Sequence, residues 1–194
     1  MAQTESEIIS RCQCGDKAAF RWVVEHYQRM LFSLALKMLA NEEEAKDVVQ
    51  ETFIRVWKGI RNYDPEKSFA TWLYTIGSRL CIDHLKMMKP TVSLPDDMSV
   101  LKQYATEDDS QRILENNEWI SIVKILAEGL SEKQRLVFTL CQLEGVSIQE
   151  AAQITGQDAQ QLKSNLYVAR QAIRKRLKEL GMRNEELGMH FDAT

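Results

Sequence analysis

The sequence is poor in the features that mark secreted and membrane proteins. It contains no apolar run approaching the ~20 residues that span a bilayer. Its first residues, MAQTESEIISRCQ, lack the basic flank and apolar core of a secretion signal. Only 4 cysteines occur in 194 residues, which does not indicate a disulfide framework. We therefore expect a cytoplasmic protein.

Metal ligands and catalytic groups are equally sparse. Cys12 and Cys14, with His26 downstream, could form half of a zinc site, but a structural zinc normally has four ligands in paired clusters and the second cluster is missing. The 3 histidines lie far apart. No Gly-rich phosphate loop, nucleophile elbow or His-Glu helix motif occurs. We expect no metal, no cofactor and no enzymatic activity.

Strand signals are nearly absent, whereas long stretches repeat apolar residues at helical spacing. Pro90 and Pro95 open a stretch in which residues 91–118 hold seven acids against two bases. A structureless loop of this length is uncommon in one compact domain, which favours an acidic linker between two modules. The sequence thus predicts an all-α protein of two small helical domains joined by an acidic linker, with domain 1–90, linker 91–115, domain 116–182 and tail 183–194.

Capping residues define the helices of the first domain. Asn41 precedes three glutamates and a helix with one apolar stripe, and the helix dipole favours those acids. Asp64-Pro65 then predicts a loop, after which Ser68 can cap the next helix. Four polar residues of the Asn41-capped helix lie outside its apolar stripe: Asp47, Gln50, Glu51 and Arg55. This pattern predicts an exposed polar face.

The second domain carries the signature of a helix-turn-helix. Ser131 and Ser147 each begin a capping box, and Asp158 can cap the last helix. Ala152, Gly156 and Leu162 have the spacing of a small residue at the helix crossing, a glycine in the turn and an apolar residue that fixes the second helix. The second helix could therefore enter a DNA major groove.

Positive charge on that last helix contrasts with the formal net charge of -3. One step around the helix from its apolar stripe lie Lys163, Tyr167, Arg170, Arg174 and Lys178. A solvated helix face is the simpler interpretation of such a run. The preceding turn favours DNA binding instead, because local charge rather than net charge determines where phosphate binds.

With both domains considered, the sequence resembles the extracytoplasmic-function (ECF) class of bacterial sigma-70 factors over residues 5–180. DVVQETFIRVWKGI (47–60) resembles the region that docks on the clamp helices of the RNA polymerase largest subunit. SFATWLYTIGSRLCIDHLK (68–86) resembles the segment that melts and reads the –10 element. Residues 130–180 resemble the domain that reads the –35 element.

The resemblance implies a role for each matching residue. Polymerase binding is implied for Asp47, Gln50, Glu51 and Arg55. Recognition of the –10 element is implied for Asn62, Lys67, Ser68, Trp72, Tyr74 and Arg79, with the 62–68 loop holding an extruded base and the two aromatics available for stacking. At its spacing, however, Trp72 also fits a place in the core. Recognition of the –35 element is implied for Lys163, Ser164, Tyr167, Arg170 and Arg174.

The sequence departs from the family pattern at three positions. Arg79 stands where the family often has asparagine, and Asn165 and Val168 stand where arginines often flank the base-reading turn. The expected partners are core RNA polymerase, promoter DNA and an anti-sigma factor, with no small-molecule substrate. Two other functions stay open: a free-standing helix-turn-helix regulator with an N-terminal sensing domain, and a helical interaction protein that does not bind DNA.

Overall fold

The computed structural model describes residues 4–87 and 129–179, which we call the first and second modules. Residues 1–3, 88–128 and 180–194, which include the predicted linker and tail, lie outside the described residues. The first module contains α1 (Glu5–Gln13), α2 (Lys17–Leu39), α3 (Glu42–Gly59), a 3-10 turn (Ile60–Asn62) and α4 (Phe69–Met87). The second contains α5 (Glu132–Phe138), a π-helical turn (Thr139–Leu143), α6 (Ile148–Thr155) and α7 (Ala159–Glu179). All regular elements in these two ranges are helical, as the sequence predicts.

Side-chain caps begin the helices where the sequence predicts them. The Asn41 Oδ1 accepts from the backbone N–H groups of Glu43 and Glu44, at 3.0 and 3.2 Å. Complete capping boxes form at Ser131 and Ser147. Such caps satisfy amides that have no partner inside the helix. These predicted helix starts are confirmed.

The first module has its own apolar core, formed by α1 to α4. Val23 and Leu31 of α2, Val56 of α3 and Leu73 of α4 are almost fully buried there. Gly77 lets α4 approach α2 closely, since a Cβ at this position would lie 3.1 Å from Leu31 Cδ2. This core fixes the relative positions of α3, α4 and the loop between them.

A second apolar core joins the two modules. It includes Leu34 and Met38 of α2 and Leu80 of α4, together with Leu136 and Leu140 of the second module. The same cluster continues into the apolar stripe of α7. The sequence predicts two domains but not this shared core, which holds the modules in contact.

The helix-turn-helix forms between α6 and α7. Gly156 has φ +67°, a left-handed conformation that suits glycine, and Leu162 is fully buried. Ala152, the predicted small residue at the crossing, is half-buried against the core shared by the modules, and its neighbour Ala151 is fully buried.

Neither module has a feature of a membrane span or of a metal site. None of the helices within 4–87 and 129–179 is long and apolar enough to cross a bilayer. The same residues contain no group of three or more His, Cys, Asp or Glu side chains that could hold a metal ion. Cys12 is buried, Cys14 is exposed, and the His26 ring stacks on Trp22 with centroids 4.6 Å apart.

Candidate nucleic-acid interface and partner-binding surface

The first turns of α7 present side chains to solvent. Asp158 Oδ1 accepts from the backbone N–H groups of Gln160 and Gln161, both at 2.9 Å, and so fixes the start of the helix. Lys163 and Ser164 are exposed, and Tyr167 is 61% exposed. The adjacent Val168 is also exposed, so Tyr167 and Val168 place apolar contact area beside these polar side chains. The three predicted base-reading residues therefore share one accessible surface.

Residues that sequence reasoning missed extend this surface. The Asn165 side-chain amide donates to Gln157 Oε1 at 2.7 Å, which joins α7 to the turn before it. A polar depression of about 690 Å³ lies between Lys133, Gln157, Ser164 and Asn165. Lys133 belongs to α5, about thirty residues earlier in the chain, so no local pattern could have associated it with the recognition helix.

Further along α7, the two predicted arginines, Arg170 and Arg174, are half-buried. Arg170 Nε donates to Gln142 Oε1 at 3.1 Å. Arg176, nearly two turns beyond Arg170 and on another face, pairs with Glu179 at 3.3 Å. The predicted –35 residues thus divide into an exposed group at the start of α7 and a half-buried pair, Arg170 and Arg174, behind it.

The loop before α4 is fixed by the aromatic core on one side and exposed on the other. The Tyr63 ring packs against Phe69 and Trp72, with centroids 5.1 and 4.9 Å apart, and its hydroxyl donates to the Lys67 carbonyl. Asn62, Lys67 and Ser68 are exposed. The Ser68 Oγ accepts from the Thr71 backbone N–H at 3.3 Å, which confirms its predicted role as the cap of α4. A rigid loop with an exposed polar edge results.

A pocket of about 320 Å³ opens beside this loop. Lys67 and Ser68 line one wall, and α1 supplies the other wall through Glu5, Ser6 and Ser10. The volume is at the lower end of the range for small-molecule sites, which suits a group the size of a nucleobase. No local pattern indicates that α1 contributes, because its contact with the loop joins residues about sixty positions apart.

The remaining –10 candidates lie on different sides of α4. Trp72 is half-buried among Tyr63, Phe69 and Gly59, and Arg79, seven residues later on the same face, is exposed. Tyr74 instead faces the second module, where its hydroxyl donates to Glu144 Oε2 at 3.3 Å. The structure does not bring Trp72 and Tyr74 together as one stacking surface.

The predicted polar face of α3 is present and borders an apolar groove. Asp47, Gln50 and Arg55 are exposed, and the side chain of Glu51 is 42% exposed and pairs with Arg55 at 2.8 Å. Beside this face, α2 and α3 form a groove of about 840 Å³. The groove is lined mainly by apolar side chains, those of Phe20, Val24, Phe32, Val49, Phe53, Ile54 and Trp57. Its rim is basic and consists of Lys17, Arg29, Lys46 and Lys58. An exposed apolar groove with a charged rim is typical of a surface that binds a partner helix.

Comparison with known proteins places both modules in one family. The family model of Sigma-70 region 2 matches residues 23–89, and that of Sigma-70 region 4 matches residues 126–173. The ECF RNA polymerase sigma factor SigW of Bacillus subtilis is 30% identical over 182 residues, which cover 89% of this chain and 96% of that protein. The ECF RNA polymerase sigma-E factor of Escherichia coli is 28% identical and covers 91% of this chain and 96% of its own length.

Solved structures share the fold. CnrH, in complex with the cytosolic domain of CnrY, superposes with a TM-score of 0.68 at 22% identity and covers 90% of this chain and 97% of its own. The sigma factor RpoE from Bartonella quintana, in complex with the anti-sigma factor NepR, gives a TM-score of 0.61 at 21% identity, covering 82% and 96%. The two matched regions and the near full-length relatives have a single explanation: the chain belongs to the ECF subfamily of the sigma-70 factors.

Proposed function

We propose that the protein is a promoter-specificity subunit that binds core RNA polymerase, recognises the –35 and –10 elements, and promotes DNA melting. This proposal rests on one observation: a single chain of this family has both an exposed recognition helix and a separate partner-binding face. A free-standing regulator would have no use for the groove and polar face of the first module. The protein acts in the cytoplasm and catalyses no reaction itself.

Polymerase binding is assigned to α3 and the adjoining groove. The apolar lining of the groove supplies buried contact area, and the polar face beside the groove, with Asp47, Gln50, Glu51 and Arg55, selects the partner. A basic coiled coil, such as the clamp helices of the largest subunit, would complement the carboxylates. An anti-sigma factor is a further expected partner, because related sigma factors have been solved as complexes with such proteins.

Promoter recognition is divided between the two modules. In the first module, the pocket beside the 62–68 loop accepts an extruded base, with Asn62, Lys67 and Ser68 at its edge and Trp72 and Arg79 on the adjoining face of α4. In the second, Lys163, Ser164 and Tyr167 read base edges of the –35 element, and Arg170 and Arg174 contact its phosphates. Domains 1–90 and 116–182, joined by linker 91–115, would span the promoter.

Reconstituted transcription tests this function. The purified chain is mixed with core polymerase, and we expect co-purification with core and initiation from a subset of promoters selected from a genomic library. The matched control is a variant with Lys163→Ala and Tyr167→Ala, which removes two exposed side chains of α7. This variant should still co-purify with core polymerase but should no longer select promoters. A chain that binds duplex DNA but never co-purifies with core polymerase would instead be a free-standing regulator.

A further inference from the structure

One carboxylate of the second module is enclosed by three hydrogen-bond donors of the first. The side chain of Glu144 is only 9% exposed. Its Oε1 accepts from Ser33 Oγ at 2.8 Å and from Lys37 Nζ at 2.6 Å, both on α2. Its Oε2 accepts from the Tyr74 hydroxyl on α4 at 3.3 Å. The three donors therefore converge on one anion from two different helices.

The position of Glu144 is fixed by the turn that follows the π-helical segment. The Glu144 backbone N–H donates to the Thr139 carbonyl at 2.9 Å, and the next residue, Gly145, has φ +68°. Lys37 Nζ also donates to the Leu143 carbonyl at 3.2 Å. The carboxylate thus reaches the first module only while the shared apolar core keeps the modules in contact.

The donor set would suit an oxyanion in the absence of Glu144. It consists of an ammonium group, an aliphatic hydroxyl and a phenol, all able to donate and one positively charged. While the modules are packed together, burial and the charge and hydrogen bond of Glu144 raise the pKa of Tyr74. A phosphodiester presents two anionic oxygens much as a carboxylate does, and charge-assisted hydrogen bonds to it are strong.

Promoter binding requires the modules to separate. The centres of the –35 and –10 elements are about 25 base pairs apart, which is roughly 85 Å of duplex at 3.4 Å per base pair. Two modules that share an apolar core cannot reach both elements at once. Separation removes Glu144 from the donors and leaves Lys37 without that partner, on the module that handles single-stranded DNA.

We propose that Ser33, Lys37 and Tyr74 form a phosphate-binding site for the promoter backbone, and that Glu144 occupies this site while the two modules are packed together. The identity of the phosphate as promoter DNA rests on the function proposed above. Glu144 acts as an internal competitor: the closed molecule hides the site, and DNA binding by the first module favours opening. The apparent affinity for DNA is the affinity of the open molecule multiplied by the fraction of molecules that are open.

The cysteines report opening without DNA or polymerase. Cys81 is fully buried in the core shared by the modules, and burial raises the pKa of its thiol to about 12. Cys12 is also buried, but in the core of the first module alone. Separation should therefore increase alkylation of Cys81 and leave Cys12 protected. Peptide mass spectrometry after a timed maleimide pulse distinguishes the two sites.

The first comparison is between the parent protein, Glu144→Gln and the control Glu179→Gln. Glu144→Gln weakens the contact while preserving side-chain size. We expect up to about tenfold faster alkylation of Cys81, the factor that corresponds to ~1.4 kcal/mol, close to the contribution of one hydrogen bond to a charged group. Affinity for a fluorescein-labelled single strand of roughly a dozen nucleotides should rise by a similar factor. Glu179→Gln, which removes an exposed carboxylate of the second module, should change neither.

The second comparison separates a phosphate site from a simple contact between modules. In the Glu144→Gln protein, adding Lys37→Met should keep Cys81 reactive but abolish the gain in DNA affinity. Adding Arg21→Met removes an equal charge from the same helix, about 24 Å away, and should retain most of that gain.

Three results would overturn the proposal. Unchanged alkylation of Cys81 in Glu144→Gln would show that the carboxylate does not hold the modules together. Retained affinity after Lys37→Met, or an equal loss after Arg21→Met, would show that the donors do not bind phosphate. Failure of the proposed function would look different, since the alkylation results would stand while no promoter was transcribed.

Discussion

Reversing the charge of Glu51 should weaken polymerase binding while leaving the fold intact. Glu51 lies on the exposed face of α3. It forms an ion pair with Arg55, one turn later on the same helix. Glu51→Lys removes this pair and places two cations side by side. Each of these effects is worth ~0.3–0.5 kcal/mol on a helix surface, so the total cost is under about 1 kcal/mol. A domain with a stability of about 5–15 kcal/mol remains folded.

The expected loss of binding is larger than this cost. A unit charge about 6 Å from a basic group of the partner contributes ~0.7 kcal/mol at the dielectric constant of water. Reversing the sign doubles the change to ~1.4 kcal/mol, which corresponds to about tenfold in Kd. Because the Debye length falls from about 10 Å at 0.1 M to about 3 Å at 1 M salt, the difference should nearly vanish at high salt.

Glu179→Lys is the matched control for this measurement. It also removes an exposed intrahelical ion pair, that with Arg176, and changes the net charge by the same amount, but it lies on α7. Affinity for core polymerase is measured by fluorescence anisotropy without DNA, and stability by thermal unfolding. Equal affinities of parent and Glu51→Lys at moderate salt would refute the reasoning, as would an equal loss for Glu179→Lys.

Four other changes test the remaining surfaces and the recognition turn. Replacing Asn62 and Lys67 by alanine should lower permanganate reactivity of the –10 thymines on a linear promoter more than it lowers closed-complex binding; unaffected melting would exclude this loop as the capture site. Lys163→Ala should change the –35 preference in a randomised library by ~1–3 kcal/mol at one base pair. Arg174→Ala should instead lower transcription from all promoters alike and reduce the salt slope by roughly 0.9; a shifted preference would contradict its role as a phosphate contact. Gly156→Ala should destabilise the protein by ~1–2 kcal/mol because its φ of +67° is left-handed, and an unchanged unfolding temperature would be inconsistent with that turn.

Local chemistry made much of the fold predictable. The caps at Asn41, Ser131, Ser147 and Asp158 each depend on a side chain and amides two or three residues away, so the sequence displays both partners. The helix faces follow in the same way from apolar spacing. The start of α7, with Lys163 and Ser164 exposed above a buried Leu162, could therefore be predicted without coordinates.

The tertiary structure alone decided which separate elements meet. The contact of Ser33 with Glu144 joins residues 111 positions apart, and the contact of Tyr74 with Glu144 joins residues 70 apart. No periodicity or spacing relates such residues, because packing of whole helix faces brings them together. For the same reason the sequence missed the wall that α1 adds to the loop pocket and the apolar groove between α2 and α3. The sequence by itself determined the helices, the recognition turn and the polar face of α3, whereas long-range packing of those helices determined the shared core, the pockets and the enclosure of Glu144.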